Sequence, residues 1–171
     1  MEKPRVHEKE GERLEAVHRL AILDTQPEER FDVLTREAVR KFGVPISMIS
    51  ILDKNREWYK SCQGLDQKEA ARETSFCGHA LLADNVFVVE DTLKDKRFAD
   101  NPTVIGYPYI RFYAGVALHD QKTGLPIGVF CLKDMKPRKL TVNEISDLIA
   151  LAERAEVELN ETRNSVGSKK K

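Results

Sequence analysis

The sequence has no apolar run approaching the ~18 residues that a membrane-spanning helix needs. Its three cysteines, Cys62, Cys77 and Cys131, are odd in number and widely spaced, and no C-x-x-C pair occurs. That rules out a disulfide framework and a zinc knuckle, and three free thiols are expected. An excess of one charge is also missing. Lys plus Arg is 28 and Asp plus Glu is 28, so nothing points to nucleic acid or an anionic membrane as partner. The basic end, Lys169, Lys170 and Lys171, is too short to change this. The lead MEKPRVHEKEGE is charged throughout and lacks the apolar core of a signal peptide, which makes a cytoplasmic location the default expectation. There is no G-x-S-x-G elbow, no H-E-x-x-H and no P-loop, so neither hydrolysis nor a metal is indicated.

The 171 residues suffice for one domain with a core that buries roughly 68–70% of the unfolded surface. Residues 1–10 read as disordered, 11–161 as a single folded unit, and 162–171 as a disordered polar tail. Leu14, Val17, Leu20 and Ala21 recur at helical spacing. Asp24 or Thr25 is the expected cap of a second helix over 28–42, with Pro27 in its first turn. Phe31, Leu34, Ala38 and Phe42 share one face of that helix, and Gly43 closes it.

The nearly continuous apolar run 44–52 reads as a strand covered on both faces. Residues 57–62 return as a second strand carrying the only tryptophan, Trp58, and a polar loop covers 63–72. Thr74 or Ser75 caps a short helix over 76–82, and 86–89 is a short strand. Residues 92–109 are turn-rich, and a connection of that length suggests a lid. Two apolar runs around a Gly-containing turn make 110–134 a β-hairpin. Thr141 with Glu144 forms a capping box for a last helix striped by Ile145, Leu148, Ala152, Ala155 and Leu159. Hairpin-linked strands between terminal helices indicate an α+β domain.

These stretches resemble the GAF domain family of bacterial sensors, of the type often found upstream of histidine kinase or diguanylate cyclase domains. The resemblance covers about residues 14–158. It is carried by RLAILDTQPEERFDVLT (19–35), VPISMISILDKNREWYKSCQGL (44–65), ETSFCGHALL (73–82), DTLKDKRFADNP (91–102), and RFYAGVAL with IGVFCLKDMKPR (111–138). It implies a six-stranded antiparallel sheet, with N- and C-terminal helices on one face. On the other face the short helix and loops would roof a ligand pocket.

Within that frame the candidate pocket residues are Trp58, Phe76, Cys77, His79, Asp91, Phe98, Asn101, Tyr107, Arg111, Tyr113 and Asp134, with Asp100, Ile105 and Phe112 beside them. Few polar groups among many apolar ones suit a small-molecule site. Arg111 needs a partner inside an apolar strand. A salt bridge to Asp91 or Asp134 is as good an expectation as an anionic ligand. Bilin-binding members attach the chromophore through a Cys followed directly by His. Here Gly78 separates Cys77 from His79, which turns the imidazole by about 100° on a helix. Bilin is therefore disfavoured, as is haem, and the ligand stays unnamed.

The resemblance also implies two alternatives to a sensor. One is a thiol-dependent reductase of the free methionine-R-sulfoxide type, which needs a low-pKa thiolate with a resolving thiol near it. The other is a degenerate domain used only for dimerisation or protein contact. Taken as a whole protein, the chain would pass its output to a signalling partner or a second copy, with a weak homodimer through the terminal helices. No catalytic residue is expected on the sensor reading.

Overall fold

The computed structural model describes residues 1–169, with side chains described to residue 161. Six strands form one antiparallel sheet in the order β3-β2-β1-β6-β5-β4. They are β1 (Ile46–Leu52), β2 (Arg56–Gln63), β3 (Glu69–Ala71), β4 (Phe87–Val89), β5 (Phe112–His119) and β6 (Pro126–Asp134). The helices are α1 (Glu10–Arg19), α2 (Glu29–Phe42), α3 (Phe76–Ala80), α4 (Pro102–Ile105) and α5 (Val142–Lys169).

Strand alternation divides the core in two, because successive side chains point to opposite faces. Ile49 and Ile51 of β1, with Phe130 and Leu132 of β6, meet the helix layer through Val17, Phe31, Leu34, Leu148, Ala155 and Leu159. Met48 and Leu52, with Val129 and Cys131, face the opposite layer, where Phe76, Cys77, Phe98, Val104 and Ile110 cover them. The central strands are buried on both faces. That is why they read as continuous apolar runs and not as alternating ones.

α2 starts after Glu28, so neither Asp24 nor Thr25 caps it, and Pro27 lies ahead of it. Asp24 instead takes both guanidinium nitrogens of Arg56 at 2.9 Å. Gly43 closes α2 in the left-handed region at φ 63°, where glycine carries no Cβ penalty. Arg138 then donates to the free carbonyls of Phe42 and Gly43. The polar stretch 63–72 contains the edge strand β3, whose three small or charged residues carry no apolar signal. The capping box is present: Glu144 N–H donates to Thr141 Oγ1 at 3.1 Å, and Thr141 N–H to Glu144 at 2.9 Å.

The first residues, expected to be disordered, lie against the fold. Residues 1–9 run as a strap over α3. The terminal ammonium pairs with Asp100, Glu2 N–H donates to the Arg97 carbonyl at 3.0 Å, and Pro4 lies against Gly78. These are backbone and terminal contacts, which no hydrophobic period announces. The expected tail 162–171 falls in α5 as far as Lys169, and Lys170 and Lys171 lie outside the described residues.

Candidate functional site

The roof layer holds a small, partly open cavity of about 110 Å³. β2 supplies Glu57 and Tyr59, β6 supplies Lys133, and Ala70 and Ala71 of β3 close one side. Ser75 and Phe76 come from the start of α3, Thr103 from α4, and Tyr107, Pro108 and Ile110 from the segment between α4 and β5. Larger depressions, such as one of about 670 Å³ between α2 and α5, are more open to solvent.

The local sequence explains the wall. Ser75 caps α3 by accepting from Gly78 N–H at 3.0 Å. The same hydroxyl donates to Glu57 Oε1 at 2.7 Å, while Ser50 donates to Glu57 Oε2 at 2.6 Å. Glu57, 2% exposed, is thus held as an acceptor by two serines. Lys133 is 8% exposed, and its Nζ stands 5.8 Å from the Phe76 ring centroid. Burial works against the Lys133 ammonium, but the Glu57 carboxylate and then the sulfurs of Cys131, Cys77 and Cys62 raise its pKa above the usual lysine value. Burial, with Glu57 adding to it, pushes the Tyr59 phenol far above its ordinary pKa, so it stays an O–H donor.

Beside the cavity the roof is solid. Phe76 stacks on Phe98 at 4.4 Å and on Tyr113 at 5.2 Å between centroids. Tyr113 folds over Gly115, which has no side chain to displace its ring, and donates its hydroxyl to Cys77 Sγ at 3.1 Å.

The sequence-derived candidates therefore scatter. Phe76 and Tyr107 line the cavity, Tyr107 at its rim with 74% exposure. Cys77, Phe98 and Tyr113 are packed into the roof core. His79 turns to the strap, with Nε2 3.1 Å from the Glu2 carbonyl and its ring edge-on to Phe98. Asn101 caps α4 and donates to the Thr74 carbonyl at 3.0 Å.

Trp58 requires correction. Glu57 and Tyr59 face the roof, so Trp58, between them on β2, packs in the helix-side core. Phe112 lies on that side too. Arg111 is answered by Asp91 at 3.0 Å, and Asp91 lies in an open groove away from the cavity. Asp134 pairs with Arg138 at 2.6 Å and so serves the α2 terminus.

Glu57, Tyr59, Ser75 and Lys133 were missed. Their signal was available: Val129, Cys131 and Lys133 share a face by alternation, which puts a lysine in line with buried side chains. Among the described residues, no cluster of three or more His, Cys, Asp or Glu could hold a metal, and no helix is long and apolar enough to cross a membrane.

The family model described as "GAF domain" matches residues 26–159. A Pseudomonas aeruginosa protein named as a cyclic di-GMP phosphodiesterase is 41% identical over 138 residues, which are 81% of this chain and 23% of that protein. The chain thus spans under a quarter of that relative's length. Among solved structures, the free methionine-R-sulfoxide reductase of Neisseria meningitidis superposes with a TM-score of 0.64 at 15% identity, over 97% of this chain and 98% of that one. The PixJ GAF domain of Thermosynechococcus elongatus gives a TM-score of 0.64 at 12% identity, over 88% and 90%. At such identities these two likenesses concern the fold alone.

Proposed function

The chain belongs to the GAF domain family, and from that premise we propose that it is a small-molecule-binding regulatory domain of a bacterial signalling system. The observation that carries the reading is the partly open recess of about 110 Å³, in which Lys133, Glu57 and Tyr59 meet apolar walls. Convergent polar groups in an apolar recess are the usual make-up of a ligand site. The P. aeruginosa relative, named for a cyclic di-GMP enzyme, supports a signalling context, with the chain corresponding to a minor portion of it. Drug-sized pockets run to roughly 300–1,000 Å³. The cavity is well below that, which favours a small metabolite over a haem, bilin or cyclic nucleotide.

Output would pass through the helix layer to a partner protein or a second copy. Leu148, Ala152, Ala155 and Leu159 are used up on the chain's own sheet. The outer groove between α2 and α5, with Val33, Ala150 and Val157, offers a contact for a weak homodimer. Light scattering over a concentration series tests this, and a monomer throughout rejects it.

The reductase reading is weakened by the thiols themselves. Cys77 and Cys131 are fully buried, and burial together with Cys131 raises the Cys77 pKa, which disfavours the reactive thiolate. Native mass spectrometry of freshly purified protein, with melting curves over a metabolite panel, tests the sensor reading. A retained mass or a saturable rise in melting temperature is expected, because a ligand that binds only the folded state stabilises it. No retained mass and no shift with any compound rejects it in favour of a contact-only domain.

A further inference from the structure

Two buried lysines in this fold are treated differently. Lys60, 3% exposed on the helix side, donates to Thr25 Oγ1 at 2.8 Å and to the Gln26 carbonyl at 2.5 Å, and it pairs with Glu28 at 2.7 Å. Lys133 is comparably buried but has no hydrogen-bond or ion-pair partner among the described residues; the Phe76 ring faces its Nζ, and the Glu57 carboxylate acts on it from beyond ion-pair distance. Tyr59, whose hydroxyl likewise has no partner among the described residues, lines the same cavity. Among the described residues no fully buried side-chain nitrogen or oxygen lacks a partner, so both donors keep access to the cavity and can give their protons to whatever occupies it. Glu57, on the same wall, already accepts from Ser50 and Ser75.

The acceptor must be compact, because the cavity holds about 110 Å³, on the order of four waters at ~30 Å³ each. It should carry one negative charge. Lys133 is the one cation among the described residues lining the cavity, and the one anion there, Glu57, already accepts from Ser50 and Ser75, so Lys133 can answer a single negative charge and a dianion would leave its second charge facing Glu57. Leu65, Ala70, Phe76 and Ile110 offer apolar surface for a short chain. We infer that the cavity binds a short-chain monocarboxylate, its oxygens on Lys133 Nζ and the Tyr59 hydroxyl and its alkyl end against Phe76 and Ile110. This rests on the ligand-binding reading above.

The test titrates the whole chain, in carboxylate-free buffer, with acetate and butyrate. Acetamide and butyramide serve as uncharged counterparts and inorganic phosphate as the competing oxyanion. Calorimetry and melting curves read the binding. A carboxylate should bind saturably, at least tenfold tighter than its amide. Lys133→Gln should lose that preference, and Tyr59→Phe should weaken it several-fold while keeping the fold's charge. Equal binding of acid and amide overturns the inference, and so does a preference for phosphate. Binding only of a different class from a broad metabolite panel overturns it while leaving the ligand-binding reading standing. No binding by anything in that panel overturns both. The acid-against-amide comparison uses the unmodified protein and so survives a variant that fails to fold.

Discussion

The Lys133 ammonium lies 5.8 Å from the centroid of the Phe76 ring, and both residues line a cavity that also holds Glu57. A cation over an aromatic face is attracted by the ring quadrupole. The contact gives Lys133 a weak neutral partner and leaves its hydrogen-bonding capacity unspent.

Ser75 serves two groups at once, capping α3 and donating to Glu57. Ser75→Ala should destabilise the protein by about 1–3 kcal/mol, from the lost cap and the half-satisfied buried carboxylate. Urea unfolding measures this. A change within experimental error would show that Glu57 is held by Ser50 alone.

Trp58 should report on the helix side and not on the cavity. Trp58→Phe is expected to lower stability by about 1–2 kcal/mol through lost packing, yet leave any ligand-induced melting shift unchanged. Loss of that shift in a variant that still unfolds cooperatively would return Trp58 to the ligand site.

How far the sequence could be read is clearest at this residue. The strand carrying Trp58 and the helices around it follow from apolar spacing. The order and spacing of motifs such as VFCLKD in 129–134 pointed to the fold family. Which face each strand residue takes was harder. Covered on both sides, Ile49 and Met48 look alike in sequence, and only the assembled layers separate them. Lys133 next to Asp134 resembles a solvent-facing strand end. The strap over α3 rests on the chain terminus and backbone carbonyls, which have no side-chain signature.

Glu10 should govern part of the acid unfolding. Burial works to raise its pKa, but hydrogen bonds from Arg13 and then Arg72 bring it from 4.5 down to about 2. A depressed folded-state pKa contributes stability that is fully present above pH 4.5 and is lost as pH falls through about 2. With partial solvent screening the contribution is about 1–2 kcal/mol. Glu10→Gln should flatten the stability profile between pH 4.5 and 2. An unchanged profile would contradict the pairing with Arg13 and Arg72.

The cysteines should be slow to react. Burial pushes the Cys62 thiol up to about 11, and Cys77 and Cys131 are fully buried. Alkylation of the native protein at pH 7 is expected to leave Cys77 and Cys131 unmodified by mass spectrometry, and free methionine-R-sulfoxide with a dithiol should show no turnover. Turnover abolished by Cys77→Ser would restore the reductase reading.

The most direct test of the ligand site is a titration of the isotope-labelled chain with butyrate, followed by amide resonances. Shifts are predicted to centre on Tyr59, Ser75, Phe76, Ile110 and Lys133, with the helix layer around Phe31 and Leu148 still. Shifts confined to the open groove at Asp91 and Arg138, or to the α2–α5 face, would contradict it.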